Sequence, residues 1–572
     1  MTPTFDPTAT DPGSTATGPA RREWIPAAIV LLAYALLLLV TRTLDQGDTS
    51  VYGDDLVDAL RGRPTTIWEF GHALWRPLAY AVLGVVHSDI ARVTDGVLFE
   101  EAVRVLTWLS ILGGVLAVLV LRSWLERVGV SRWVAVGVTI AFTAASAFLG
   151  YVQTGSSYIP GLAMLLVGLR ELAAEDSQSD RRTIAVASLA FALAVLFWFP
   201  LVLAVPGAAV STLLLRGDSP RRRRVAIAVC VGSGLITIAA YVPVAALAGV
   251  RSVADFRAWM AESSHGIRGI GGLQRAIVGF ARSLVNMDRL GLVAKRYLLH
   301  DPYNPTTMAD VARAGLFRLV ALYAVLGVMA VLLAWKPMGR RALAFLVVTA
   351  IPVVGFALIW QGGDLERYLA MFPALFLAMA VVVSMLPRAA HAGAAAALAL
   401  AFALMNIPAI SRSSTERQCA TLTARLESVP RGDGRPTVIF TPHELDEIST
   451  YRNRCPAEPL LMGQNPPQAF GLVMANNEYA TAWREMLSTR AQRAWANGGH
   501  VWISRRAFVK SPPPSWKWAE GDDPRLSWRD FLAYFTQVDV GPPVGGEDGF
   551  VEVLPTPRTR EAVERLRKRP PS

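Results

Sequence analysis

Charged residues are scarce in this chain. They make up 18% of its 572 residues, whereas a soluble domain carries about 25%, and the mean hydropathy is +0.36. These values exclude an ordinary soluble protein, and a hydrophobic fraction of 53% excludes a disordered one. Three cysteines exclude a disulfide-dense scaffold. Lysine is also rare, so the net charge of +11 comes almost entirely from arginine.

Long uncharged apolar runs dominate the sequence instead. Each is predicted to cross a membrane, because about 20 apolar residues span a hydrocarbon core of about 30 Å. The predicted spans are 24–41, 105–121, 133–149, 156–169, 183–198, 201–215, 225–249, 319–335, 342–360, 368–386 and 392–410. Residues 133–169 are too long for one crossing, and 150–160 contain the turn. Pro200 and Pro206 interrupt 183–215, which favours two short helices over one long helix.

Arginine is concentrated in alternate loops between these spans. With a cytoplasmic N-terminus, the cytoplasmic loops receive Arg21, Arg22, Arg122, Arg127, Arg132, Arg170, Arg181, Arg182, Arg216, the run 221–224, Lys336, Arg340, Arg341 and Arg388. The short loops on the other side carry almost none, which is the asymmetry that sets membrane topology. Merging 183–215 into one span would place the run 221–224 outside. The positive charge therefore indicates topology and argues against nucleic-acid binding.

This topology divides the chain into three parts. Residues 1–23 are a disordered cytoplasmic tail, residues 24–410 a transmembrane domain of the plasma (inner) membrane, and residues 411–572 an exported domain. Loops 42–104 and 250–318 are exported as well. Polar groups are costly in a membrane protein and tend to mark function, so the exported segments are where a site is expected.

Two adjacent carboxylates, Asp54 and Asp55, lie in the first exported loop. Adjacent side chains point in different directions, so one can face a cavity while the other caps a helix that begins at Leu56. The alternative is that the pair serves only as an N-cap. Both interpretations remain open from these residues alone.

A short apolar segment at 72–87 follows in the same loop. Four of its side chains fall on one helical face: Leu74, Leu78, Val82 and Val85. This predicts a helix that lies on the exported leaflet, with His72 and Arg76 near its start.

A polar segment also precedes the tenth span. Glu366, Arg367 and Tyr368 enter the membrane directly after a short exported loop. They either anchor the helix at the interface, with Tyr368 in the aromatic belt, or they bind a lipid-linked phosphate, which suits the planar donors of Arg367.

The order of these features resembles the GT-C superfamily of integral-membrane glycosyltransferases, especially the protein O-mannosyltransferase-like and aminoarabinose-transferase-like enzymes. The resemblance covers 24–410 and rests on the Asp-Asp pair, the short helix that starts Trp-Arg-Pro-Leu, and the late Glu-Arg-Tyr. Relatives often carry His-Pro-Pro before the short helix, whereas this chain reads His72-Ala-Leu-Trp-Arg76-Pro77. The resemblance implies an all-α polytopic membrane protein of about eleven helices.

It also implies a polyprenyl-phosphate-linked sugar donor and transfer to a hydroxyl of a glycan, lipid or protein, with inversion at the anomeric carbon. A hydroxyl is a poor nucleophile, so a carboxylate should take its proton. Asp54 or Asp55 is the expected base, and the other is an orienter or metal ligand. Arg76 and Arg367, with Glu366 and Tyr368, are the expected phosphate site. A divalent cation, Mg²⁺ or Mn²⁺, is left open, because no His/Asp cluster has diagnostic spacing.

The second exported loop contains arginines at seven-residue intervals: Arg268, Arg275, Arg282, Arg289 and Arg296. Residues 274–297 are predicted to form an amphipathic helix on the exported membrane surface. Its arginines either contact lipid headgroups or guide the polyprenyl phosphate, with Arg282 and Arg289 central. His72, His265 and His300 are candidates for the same cavity.

The C-terminal part is predicted to be a small exported α/β domain. Its predicted elements are strands at 437–441, 459–462, 500–504 and 549–554 and helices at 444–451 and 479–497. Cys419 and Cys455 lie in this oxidising compartment and form a candidate disulfide, whereas Cys230 lies in the seventh span.

Three functions are compatible with this layout. A GT-C-type hexosyl- or pentosyltransferase is the first. A transporter or flippase of lipid-linked saccharides would need ionisable residues inside the spans, and these spans contain few. A non-catalytic membrane scaffold with an exported binding domain is the third.

Overall fold

The computed structural model describes most of the transmembrane part and portions of the C-terminal part. The described residues are 20–42, 49–63, 65–86, 93, 95–173, 179–263, 272–287, 290, 293–294, 297, 306–412, 420, 429, 437–441, 468–471, 482–505, 536–546 and 549–568. All structural statements below concern these residues.

The transmembrane part is a bundle of packed helices, and several of the packed pairs are distant in sequence. Its helices are α1 (Ala20–Val40), α2 (Thr49–Leu60), α3 (Trp75–Val86), α4 (Asp95–Arg127), α5 (Arg132–Thr143), α6 (Ser146–Tyr151), α7 (Tyr158–Leu172), α8 (Asp180–Phe197), α9 (Val205–Arg216), α10 (Pro220–Leu247), α11 (Val253–Glu262), α12 (Leu273–Leu284), α13 (Phe317–Trp335), α14 (Pro337–Ile359), α15 (Phe372–Ser384) and α16 (His391–Asn406). A 3₁₀ turn, Leu365–Met371, leads into α15. Within the described residues, seven helices are long and apolar enough to cross a membrane. The fold is therefore a polytopic helical membrane fold.

Each of the eleven predicted spans coincides with a helix or an interrupted helix. The long run 183–215 forms two helices, because the chain becomes extended at Trp198 and continues as a 3₁₀ turn that contains Pro200. The turn expected at 150–160 lies between α6 and α7. A break at Ala144 and Ala145, which was not predicted, separates α5 from α6. Helix α1 begins at Ala20, earlier than the predicted start at residue 24.

One end of the bundle gathers the ends of α1, α8, α14 and α16. Thr41 pairs with Ser411 in an isolated β-bridge, so α1 and α16 end side by side. The amide of Leu74 donates to the carbonyl of Leu196, which ties the first loop to the end of α8. The amide of Gly272 donates to the carbonyl of Leu358 near the end of α14. We call this end the loop end.

The opposite end is rich in arginine and is held by arginine contacts. Arg170 donates to Ser123 at 2.9 Å, and Arg216 donates to the carbonyl of Ala173 at 3.1 Å. Arg221 joins α10 to α8 through Asp180 at 2.6 Å. This distribution places the Asp-Asp loop and the basic loops at opposite ends of the helices.

The predicted helix at 274–297 is wrong in length. Helix α12 ends at Leu284, and Val285 is extended with φ −133° and ψ 145°. Arg275 and Arg282 lie on this helix, whereas Arg268, Arg289 and Arg296 lie outside the described residues. The seven-residue spacing therefore does not describe one continuous helix.

A four-stranded sheet forms the described part of the C-terminal region. Its strands are β1 (Thr437–Thr441), β2 (Gln468–Gly471), β3 (His500–Ser504) and β4 (Phe550–Glu552), in the order β2-β1-β3-β4. β1 is parallel to β2 and β3, and β4 is antiparallel to β3. Helices α17 (Ala482–Ala496) and α18 (Pro557–Lys568) accompany the sheet.

The sequence analysis anticipated β1, β3, β4 and α17 in this region and missed β2 and α18. The strand predicted at 459–462 and the helix predicted at 444–451 lie outside the described residues, as do Cys419 and Cys455. Cys230 lies in α10 as a half-buried free thiol.

A buried asparagine forms hydrogen bonds that connect three elements at the loop end. Asn406, 1% exposed, donates from Nδ2 to the carbonyls of Ala144 (2.7 Å) and Leu284 (2.9 Å). Its Oδ1 accepts from the amide of Asn286 at 2.6 Å. The side chain thus satisfies carbonyls freed by the α5–α6 break and by the end of α12.

Replacing Asn406 with alanine should lower the free energy of unfolding by about 2–3 kcal/mol, because buried backbone groups lose their partners. Thermal unfolding of the purified protein measures the change. The matched control is Leu404→Ala on the exposed side of the same helix. Equal stability of the two variants would contradict this role of Asn406.

Candidate active site

The two adjacent aspartates lie inside helix α2, not at its start. The helix begins at Thr49, so the expectation that Asp54 or Asp55 caps a helix beginning at Leu56 is wrong. The physical reason is that Tyr52 and Leu56 are both buried one turn apart and extend the helix N-terminally. Asp54 is exposed, whereas Asp55 is half-buried and faces α3.

Arg76 lies between two carboxylates. Its Nη1 binds Asp55 Oδ2, and its Nη2 binds Glu69 Oε2 at 2.5 Å. The guanidinium also lies over the ring of Tyr52, 5.2 Å from the ring centroid. The side chains of Arg76 and Glu69 are 10% and 5% exposed, and that of Asp55 is 25% exposed. One largely buried cation is thus shared by a buried acid, Glu69, and a half-buried acid, Asp55.

Burial raises the pKa of Asp55 above its ordinary value. The nearby charge of Arg76 and a hydrogen bond from Thr65, 3.3 Å away, act in the opposite direction. The charges of Glu69 and Asp54 raise the pKa further. A carboxylate with a raised pKa is a stronger proton acceptor than an ordinary aspartate.

Helix α3 holds Arg76 in place through the face that contains Trp75. The indole of Trp75 donates to the carbonyl of Gly155 at 2.9 Å, and Ala79 and Leu83 are fully buried beside it. Gly155 has φ +71°, and a Cβ there would lie 2.9 Å from Thr49, so the turn requires glycine.

The face of α3 singled out from sequence points largely outward. Val85 is 85% exposed and Leu78 is 37% exposed. An apolar face outside and a polar contact inside agree with a helix at the membrane surface.

A second charged group lies where the chain enters α15. Tyr151 donates to Glu366, and Glu366 lies 3.6 Å from Arg367. Arg367 also donates to Gln361, a non-glycine residue with φ +43°. The hydroxyl of Tyr368 lies 2.9 Å and 2.7 Å from the carbonyls of Ala276 and Gly362 and so ties α12 to this loop.

Helix α12 adds two arginines to this second group. Arg282 donates to the carbonyl of Gly363 at 3.4 Å, and the charge of Asp364 acts on Arg275. The close approach depends on Gly279, where a Cβ would lie 2.0 Å from the carbonyl oxygen of Gly362.

Aromatic rings connect the two charged groups. His72 Nδ1 lies 2.6 Å from Ser157 Oγ, and its ring lies 5.7 Å from the ring of Tyr158. Tyr158 in turn lies 4.9 Å from Tyr151, the partner of Glu366. The structure therefore brings the Asp-Asp loop and the Glu-Arg-Tyr segment to one region of the loop end.

Other predicted site residues cannot be placed. His265, His300 and Arg289 lie outside the described residues. In the part of the chain that the structure describes, no three His, Cys, Asp or Glu side chains are grouped to hold a metal ion. Asp55 is bound to Arg76 instead.

Three residues of this region were not singled out from the sequence: Glu69, Tyr151 and Tyr158. Glu69 carries a signal that could have identified it, because an acid between Trp68 and Phe70 is unusual in an exposed loop. The two tyrosines lie in apolar segments, where nothing distinguishes them from core aromatics.

The sequence itself matches no family model and no curated protein. The fold resembles solved structures. ArnT from Cupriavidus metallidurans in the apo state has 13% identity and a TM-score of 0.49, with 94% of this chain and 98% of that chain covered. ArnT from the same organism bound to undecaprenyl phosphate has 14% identity and a TM-score of 0.49, with 92% of this chain and 97% of that chain covered. The oligosaccharyltransferase of Archaeoglobus fulgidus in the apo form has 16% identity and a TM-score of 0.44, with 85% of this chain and 70% of that chain covered.

At such identities and TM-scores the likeness carries no conclusion about activity or substrate. What the protein does must be inferred from its own residues.

The raised pKa of Asp55 gives a stability test. As the pH rises above the usual value of 3.8, the unfolded chain loses the Asp55 proton while the folded protein still holds it. Folded-state stability therefore falls with rising pH until the raised pKa is passed. The unfolding temperature of the wild type relative to Asp55→Asn should decrease through this window.

Thermal unfolding from about pH 2 to about pH 7 covers the windows of both aspartates and measures this difference. Asp255→Asn is the control with opposite sign, because the amide of Arg251 donates to Asp255 and lowers its pKa. The unfolding temperature of the wild type relative to Asp255→Asn should increase as the pH rises towards the usual pKa of an aspartate. A wild-type minus Asp55→Asn difference that stays flat or increases would contradict the assignment.

Proposed function

We propose that this protein is a glycosyltransferase that moves a sugar from a polyprenyl-phosphate donor to an acceptor hydroxyl. The observation that carries the proposal is the convergence of a half-buried carboxylate, Asp55, with a separate buried arginine group around Arg367 at one end of a membrane bundle. A base and an anion site in one region are what displacement of a lipid phosphate from a sugar requires.

The two charged groups differ in net charge, and this difference gives them different roles. Arg76 faces two carboxylates, Asp55 and Glu69, so its group is net negative. The second group combines Arg275, Arg282 and Arg367 with two acids, Asp364 and Glu366, and is net positive. A phosphate is attracted to the second group and repelled by the first.

Arg367 is accordingly the main candidate to bind the donor phosphate, with Arg282 beside it. The side chain of Arg367 is 13% exposed, and its Nε has no hydrogen-bond partner in the described part of the chain. A phosphate oxygen would satisfy this donor. Arg76, which the sequence analysis also assigned to phosphate, instead orients Asp55.

The transfer step follows from this division. The acceptor hydroxyl attacks the anomeric carbon, and Asp55 takes the hydroxyl proton. The bond between the anomeric carbon and the phosphate oxygen breaks, and its electron pair leaves with the polyprenyl phosphate. Arg367 stabilises the charge that develops on that phosphate. Attack from the side opposite the leaving group inverts the anomeric carbon.

The arginine distribution supports an outward-facing site. The basic loops lie at the end of the bundle opposite Asp55 and Arg367. By the positive-inside rule that end is cytoplasmic. The proposed site then opens at the outer face of the plasma membrane, where the acceptor is an envelope glycan, a lipid or a protein.

Replacing Asp55 with asparagine should lower the turnover number about 10²–10⁴-fold, because asparagine cannot accept the proton. Asp54→Asn is the matched control. Asp54 is exposed, so its loss should change turnover less than about tenfold. Transfer from mannosyl and arabinofuranosyl phosphoryl-polyprenol donors, by purified protein in vesicles, measures both rates.

Full activity of the double variant Asp54→Asn/Asp55→Asn would refute the catalytic assignment. Movement of donor across the bilayer without transfer would identify a transporter instead.

The two arginines should respond differently to lysine, which keeps the charge and loses the planar fork. Arg367→Lys should weaken binding of undecaprenyl phosphate about tenfold. Arg76→Lys should leave that affinity unchanged within about threefold and lower turnover. Binding is measured by titration of the lipid in detergent, and equal losses of affinity would show that both arginines contact the phosphate.

A further inference from the structure

A buried ion pair beside the proposed base has two unused hydrogen-bonding atoms. Glu69 Oε2 binds Arg76 Nη2 at 2.5 Å, yet Glu69 Oε1 and Arg76 Nε are both buried and have no partner among the described groups. A buried polar atom without a partner costs about 1–3 kcal/mol. One acceptor and one donor are therefore left open within a single ion pair.

Glu69 is held in this position by its backbone neighbours. The indole of Trp259 donates to the carbonyl of Trp68 at 2.8 Å, and the hydroxyl of Tyr241 donates to the carbonyl of Phe70 at 2.7 Å. The amide of Gly71 donates to Ser263 Oγ at 3.1 Å. Helices α10 and α11 thus fix the backbone on both sides of Glu69, so its side chain cannot readily turn outward.

The charge of the pair selects the chemistry that could satisfy both atoms. An anion would accept from Arg76 Nε but would be repelled by the Glu69 carboxylate, and a cation would face the reverse conflict. A neutral hydroxyl can donate to Glu69 Oε1 or accept from Arg76 Nε without either penalty. The open atoms therefore favour a hydroxyl-bearing ligand over a phosphate or a metal ion.

Gly71 lies against this side of Glu69. A Cβ placed on Gly71 would lie 3.7 Å from Glu69 Oε1 and 3.6 Å from Ser263 Cβ. These are ordinary contact distances, so an alanine fits without moving its neighbours. It would nevertheless fill the space next to the open carboxylate oxygen.

We propose that Glu69 and Arg76 form a hydroxyl-binding subsite that recognises the sugar ring of a substrate. This inference rests on the proposed glycosyltransferase function and adds a specificity-determining residue, Glu69. The hydroxyl belongs either to the transferred sugar or to the acceptor, and the shared chemistry is a neutral hydroxyl next to the Asp55 base. The phosphate stays with Arg367.

The test compares undecaprenyl phosphate with its mannosyl and arabinofuranosyl derivatives. Affinities of the full-length protein for each lipid are measured in detergent for the wild type, Glu69→Gln and Gly71→Ala. The wild type should bind one glycosylated lipid more tightly than the bare carrier. Each variant should lose about tenfold of that affinity and bind the bare carrier as the wild type does.

The outcomes separate the two proposals. A wild type that binds no glycosylated lipid more tightly than the carrier contradicts the proposed function and the subsite together. A wild-type preference that survives in both variants, with acceptor KM also unchanged, overturns the subsite alone. A selective rise in acceptor KM in both variants supports the subsite and assigns the hydroxyl to the acceptor. Glu69→Asp, which keeps the charge, should recover part of the lost discrimination.

Discussion

The structure at the loop end depends on one constraint: the Arg76 guanidinium, buried away from water, must be paired. Breaking a buried ion pair by removing one partner typically costs about 3–5 kcal/mol. Arg76 therefore fixes the positions of Asp55 on α2 and Glu69 in the following loop at the same time. This one side chain joins the two segments, and a hydrogen bond from Thr65 to Asp55 adds to the connection.

The same constraint explains why side chains of other helices form several hydrogen bonds to the neighbouring backbone. The loop before α3 gains hydrogen bonds from Tyr241 on α10 and from Trp259 on α11, and α3 itself is tied to the turn before α7 through Trp75. A charge cluster of low water content works as a site only if its geometry is rigid, because small displacements change the electrostatic energy strongly. Rigidity here comes from aromatic donors that bind backbone carbonyls.

The helix positions could be predicted from sequence because membrane burial acts on composition alone. Eleven apolar runs predict eleven helical crossings, and Pro200 predicts the interruption between α8 and α9. The break at Ala144 could not be predicted, since the partner of its freed carbonyl, Asn406, is distant in sequence. The start of α2 was also misjudged, because an Asp-Asp pair is typical of a helix cap, while tertiary packing of Tyr52 determined the outcome.

The charged residues of the site could be predicted from sequence, but their ion-pair partners could not. Asp55, Arg76 and Arg367 stand out as charges between apolar runs, whereas pairing depends on which loops meet. Pairing in turn determines function, because the balance of arginines and carboxylates sets the sign of the local charge. Arg76 and Arg367 were predicted to have the same role, but Arg76 faces two carboxylates as a single cation, whereas Arg367 belongs to a group of three arginines and two carboxylates. A net-negative group around the base and a net-positive group around the leaving phosphate orient a donor with its sugar between them.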